Sequence, residues 1–158
     1  MGKTHIFKGS NQFSEIMDFN EFFAYLIEEE HKSIDQLLDK IETDELKVEI
    51  SDGETIGDRF AHMALAEFMM AKYLFPDEHS TLEISDKEDK EELKRAFNIS
   101  KEQHLKTIKN LQPTDLDKEW VSQKTGNRYS YKYLLYHFFE HLATHRGQIA
   151  MRLRQIRE

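Results

Sequence analysis

The chain has no cysteine, only two prolines and only six glycines among its 158 residues. Without cysteine there are no disulfides, no thiolate metal ligands and no protein cysteine nucleophile, so any thiol in its chemistry must arrive with a ligand. With few proline and glycine breaks, and with 39% hydrophobic and 33% charged residues, the composition is that of an ordered helical soluble protein rather than a disordered chain. No apolar run approaches the roughly 20 residues of a membrane span, and the stretch from Met1 to Ser10 lacks the apolar core of a signal peptide. A cytoplasmic protein with no membrane partner is expected. Positive charge is also scarce: 22 Lys and Arg against 30 Asp and Glu give a formal charge of −8, which opposes attachment to nucleic acid. The basic residues Arg146, Arg152, Arg154 and Arg157 are too sparse to reverse that. The length predicts a single domain over residues 1–158.

Four stretches carry helical periodicity, and neither an alternating pattern of strand length nor an internal repeat is visible beside them. The first helix is expected from Asp18, with Glu21 completing a capping box, to about Ile41, burying Phe23, Ile27, Ile34, Leu38 and Ile41. A second opens at Thr55, with Asp58 reaching back, and runs to about Phe75, where Pro76 forbids extension. It is apolar on nearly every side, so His62 and Glu67 within it need partners. A third begins after Ser85 and carries Leu93, Phe97, Ile108 and Leu111 towards Pro113. A loop from Gln112 to Tyr129 holds Trp120 and the turn Thr125-Gly126-Asn127, and the last helix runs from about Ser130 to the end. The expectation is all-α, a four-helix bundle.

Chemistry concentrates in histidines. His141 and His145 lie one helical turn apart, inside or beside the arc of Leu134, Phe138, Leu142, Ile149, Leu153 and Ile156, so both are expected to point inward. A third imidazole, His62, comes from another apolar helix. Two buried imidazoles are costly unless hydrogen-bonded or coordinated, and a shared divalent ion with an open position answers that demand. The alternative is that each ring satisfies a backbone carbonyl or a carboxylate. His104 and His31 sit near the stripes of their helices and read as structural, while His5 and His79 read as exposed. Glu67 is placed either as a group orienting a ligand or a bound water, or as a core carboxylate satisfied by Arg146 or Tyr133. The string His137-Phe138-Phe139-Glu140-His141 matches an inverted zinc-protease pattern, but His137 and Glu140 lie off the centre of the apolar arc, which argues against a peptidase.

Thr55-Ile56-Gly57-Asp58-Arg59-Phe60-Ala61-His62, with Glu67 following, and the later His137, His141, His145 running into Arg146-Gly147-Gln148-Ile149 resemble the DinB-like and YfiT-like superfamily over most of the chain. The resemblance implies a DinB/YfiT-like four-helix bundle, often a homodimer, binding a divalent metal, commonly nickel or zinc, through His62, His141 and His145. Three neutral imidazoles suit those ions and leave positions for water or substrate. Gly147 is expected to let a neighbouring helix approach, with Arg146 and Gln148 supporting the ligands, unless Arg146 forms a surface salt bridge. The resemblance further implies transfer of a low-molecular-weight thiol of the bacillithiol type to small electrophiles. Metal-dependent hydrolysis of small molecules, with Glu67 or His137 as base, and a non-catalytic metal-binding stress protein are the alternatives.

Overall fold

The computed structural model describes residues 18–76 and 80–158; His5, His79 and the first ten residues lie outside them. Four helices form the body: α1 (Phe19–Asp39), α2 (Ile56–Leu74), α3 (Lys90–Asn110) and α4 (Tyr131–Arg157). Each start has a chemical cause. Asp18 and Glu21 exchange the two hydrogen bonds of a capping box at α1, Thr55 and Asp58 do the same at α2, and Ser130 Oγ accepts from Tyr133 N at α4. The third helix begins later than the sequence suggests, because Asp89 rather than Ser85 accepts the free N–H groups of Glu91 and Glu92. Ser85 instead donates its own N–H to Glu92 Oε1 across 3.2 Å. At the other end of α3, the Asn20 amide donates to the carbonyls of Ile108 and Leu111, satisfying groups that a helix C-terminus leaves open.

Phe60, Phe97 and Phe138 meet in the centre with Ile27, Ile34, Leu38, Met63 and Leu142, all fully buried. The expected stripes therefore do face the core, except that Ile156 is exposed near the end of α4 and Phe23 is only partly buried, packed on Phe139. Glycine is required at one close approach. A Cβ on Gly57 would collide with the Lys87 carbonyl oxygen, so only glycine lets the 80–89 strap cross the first turn of α2. Gly147 has no such role: a Cβ there meets nothing within 4 Å, and the expected helix approach is absent.

Two features correct the sequence reading. The loops before α2 and α4 contain short antiparallel hairpins, β1 (Glu49–Ser51) with β2 (Glu54–Thr55) and β3 (Glu119–Val121) with β4 (Arg128–Ser130). Strands of two or three residues are too short to show an alternating pattern. In the second, Trp120 pairs with Tyr129 across the ladder. The chain also repeats its element order. Each half runs helix, five-residue 3-10 turn (Thr43–Lys47, Pro113–Asp117), hairpin, helix. Sequence reasoning missed it because what recurs is the placing of apolar residues, such as Leu38 and Ile41 in one half and Ile108 and Leu111 in the other, rather than their identities.

Candidate metal centre

Hairpin β1–β2 ends on the cap of α2, and hairpin β3–β4 on the cap of α4, so the starting points of both histidine-bearing helices are fixed by strand pairing. Two turns into α2 stands His62. About three turns into α4 stand His141 and His145, four residues apart and hence on one face. The three rings converge, with centroids 4.9 Å apart for His62 and His141, 5.2 Å for His62 and His145, and 4.4 Å for His141 and His145. Each offers one ring nitrogen, all within 4.8 Å of one another, and among the described residues this is the one group of three or more such side chains with metal-holding geometry.

The cluster is not buried as expected. His62 is exposed and the other two are half-buried, because they line the surface seam between α2 and α4 instead of entering the phenylalanine core. His62 Nε2 and His141 Nε2 are 2.9 Å apart. Two nitrogens about 2.0–2.1 Å from one ion and about 90° apart around it are separated by roughly that distance. The same separation serves as an N–H···N hydrogen bond when one ring carries its proton at Nε2.

The surroundings of His62 and His141 favour their neutral forms. Partial burial, then the neighbouring His145 and His62, pushes the His141 imidazole down to about 4. Burial and His145 also lower His62, with Arg59 adding to the effect and Glu54 opposing it. An imidazole without its proton is the form that coordinates. This donor set therefore suits a divalent ion, which His62, His141 and His145 would hold.

Arg59, which sequence reasoning missed, supports the cluster from behind. Its Nε donates to Glu54 Oε1 at 2.9 Å, and its Nη1 lies 2.8 Å from His145 Nδ1 and donates to Gln148 Oε1 at 2.6 Å. Gln148 Oε1 is also 2.8 Å from His145 Nδ1. With Nδ1 protonated, the amide oxygen accepts from both Nδ1 and Arg59 Nη1, so Arg59 acts on His145 through Gln148, and the Nε2 lone pair is left for the cluster. A signal existed in the sequence: Arg59 precedes His62 by three residues and so shares its helix face. Arg146 pairs instead with Glu30, Nε to Oε1 at 2.7 Å, the salt bridge weighed against a supporting role.

His137 and Glu67 occupy different places. His137 is one turn before His141, its ring 6.0 Å from that ring, its Nδ1 3.2 Å from Glu140 Oε2, and its face parallel to Tyr133 within 8°. Glu67 lies five residues past His62, about 140° around α2, and points into the core. There its Oε1 is 2.8 Å from His31 Nε2 and 3.3 Å from His104 Nδ1. Its partners are thus two histidines rather than Arg146 or Tyr133, and all three residues are buried. Burial pushes the Glu67 carboxyl up, but the hydrogen bonds and charges of His104 and His31 outweigh it and hold the group below its ordinary value. Burial lowers His104 in turn, against the pull of Glu67.

No helix among the described residues is long and apolar enough to cross a membrane. No curated protein matches the chain. A conserved protein of Enterococcus faecalis known from a crystal structure shares the fold, with a TM-score of 0.66 at 12% identity, over 85% of this chain and 95% of that one. At that identity the likeness speaks for architecture alone. The sequence itself matches the DinB superfamily over residues 26–149, which contain all three clustered histidines, and the chain belongs to that superfamily.

Proposed function

We propose that the protein is a metal-dependent transferase that joins a low-molecular-weight thiol of the bacillithiol type to small electrophiles. The observation that carries this reading is the convergence of His62, His141 and His145 at an accessible seam, with His62 and His141 meeting through their Nε2 atoms. Three imidazoles would hold the ion, and a bound divalent cation supplies Lewis acidity that keeps a thiol as thiolate near neutral pH. In the reaction the thiol sulfur forms a bond to the electrophilic carbon, the bond to the leaving group breaks with its electron pair, and the thiol proton goes to a base. His137 is placed for that proton, one turn from His141 and oriented by Glu140 through Nδ1, which leaves Nε2 to accept. Gln148 and Arg59 fix the orientation of His145. Because the chain contains no cysteine, the sulfur nucleophile must be a cosubstrate. We take the working form to be a homodimer of cytoplasmic, stress-responsive character.

The test is direct. Purified protein should contain about one equivalent of zinc or nickel per chain by elemental analysis. It should also accelerate conjugation of bacillithiol to monochlorobimane, and His141→Ala should abolish both. A metal-loaded protein that neither binds such thiols nor speeds their conjugation overturns the reading.

A further inference from the structure

Beside the histidine cluster lies a cavity of about 250 Å³ whose walls are aromatic: Tyr73, Trp120, Tyr129, Tyr133 and His137, with Met70. The second hairpin delivers Trp120 and Tyr129 as a cross-strand pair, α2 delivers Tyr73, and α4 delivers Tyr133 and His137. Tyr73 stacks on Trp120 at 4.0 Å and 20°. From Trp120 the planes continue nearly parallel through Tyr129, Tyr133 and His137, at interplanar angles of 25°, 20° and 8°. The last ring of this series is 6.0 Å from His141, so the series ends at the cluster.

Deepening the transfer reading above, we infer that this cavity is the acceptor subsite and that it takes a neutral, flat, aromatic electrophile, laid against the aromatic wall formed by the hairpin rings, Tyr133 and His137. Three observations carry the assignment. Near-parallel rings offer π-faces, which flat rings match and saturated rings do not. No carboxylate, ammonium or guanidinium lines the cavity, so a charged acceptor would lose hydration without gaining a partner. Its volume of about 250 Å³ gives room for one or two rings against the wall. Stacked there, the acceptor has one edge towards His137 and His141, where the sulfur is to attack.

Trp120 is the only tryptophan in the chain, so its emission reports the cavity without a label. Benzamide and cyclohexanecarboxamide, uncharged and unreactive, serve as flat and saturated probes of similar size. Benzamide should change Trp120 emission saturably in metal-stripped and metal-loaded protein alike, and cyclohexanecarboxamide should bind at least about tenfold more weakly. Tyr133 is 42% exposed, so Tyr133→Ala should melt close to wild type while weakening benzamide about tenfold; Tyr133→Phe should restore binding. With monochlorobimane as acceptor, Tyr133→Ala should raise KM about tenfold, a larger change than that in kcat. Absence of a saturable signal, equal affinity for the saturated probe, or an unchanged KM in Tyr133→Ala would overturn the assignment. Tyr133-dependent benzamide binding in a protein that transfers no thiol would support the cavity while refuting the transfer reading, so the two fail separately.

Discussion

Glu67 carries a carboxylate into the bundle core between His31 and His104, and these neighbours govern how the protein meets acid. Folded Glu67 and folded His104 both hold pKa values below their ordinary 4.5 and 6.5. The unfolded chain therefore binds protons first as pH drops, at the histidine below 6.5 and at the carboxylate below 4.5. Stability should be level above pH 6.5 and fall as the solution is acidified, with His62 and His141, also lowered, adding to the loss. Urea unfolding across about pH 4 to 8 checks the sign; a protein that gains stability on acidification contradicts it. Glu67→Ala strands two imidazoles and should cost about 3–5 kcal/mol at neutral pH. His141→Ala acts differently: it should cost little in metal-free protein, since the ring sits at a seam, but should erase the thermal shift that added zinc or nickel produces in the parent. Among single residues, the pairing of His141 with His145 was legible because four-residue spacing on one helix is a geometric statement, whereas the place of His62 beside them came from the family resemblance. The partners of Glu67 were not, because nothing local says which distant helix faces it.

At the scale of elements, the caps were readable and the hairpins were not. Thr55 with Asp58, and Asp18 with Glu21, are short-range patterns whose hydrogen bonds need no tertiary help. The hairpin before α2 had one local mark, Asp52-Gly53, both at positive φ as its turn demands. Its flanking strands are too short for periodicity to second the signal. The two helical glycines divide in the same way. Gly57→Ala places a methyl against the Lys87 backbone and should destabilise by about 1–3 kcal/mol, because a carbonyl in the strap moves less readily than a flexible side chain. Gly147→Ala meets open space within a helix and should be neutral or stabilise by up to about 1 kcal/mol. Chemical denaturation of the pair separates the glycine that permits packing from the one that merely tolerates solvent.

For the whole molecule, the repeated order of helix, 3-10 turn, hairpin and helix puts the closing helix of each half at the seam where the histidines meet. An ion held there would join α2 to α4, one half to the other, so its removal should loosen the molecule as a unit. At an ion concentration of about 100 times the dissociation constant, linkage gives about 2.7 kcal/mol. Chelation should lower the melting temperature in proportion, and calorimetry that finds no dependence on zinc or nickel argues against the centre. Helix count and bundle class were legible because amphipathic stripes of about 20 residues are long enough to declare their period. The pairing of halves was hidden because burial, rather than residue identity, is what recurs.

The hairpins have a consequence for how this architecture tolerates change. Each closes on the residue that caps a histidine-bearing helix, while its tip, near Gly53 or Gly126, stands away from that junction. A residue inserted at a tip is absorbed there and leaves the distance from cap to imidazole untouched. The same insertion between Ser130 and His141 turns everything beyond it by about 100° and carries two rings out of register with His62. Length variation thus has a safe harbour a few residues from the most length-sensitive stretch of the chain.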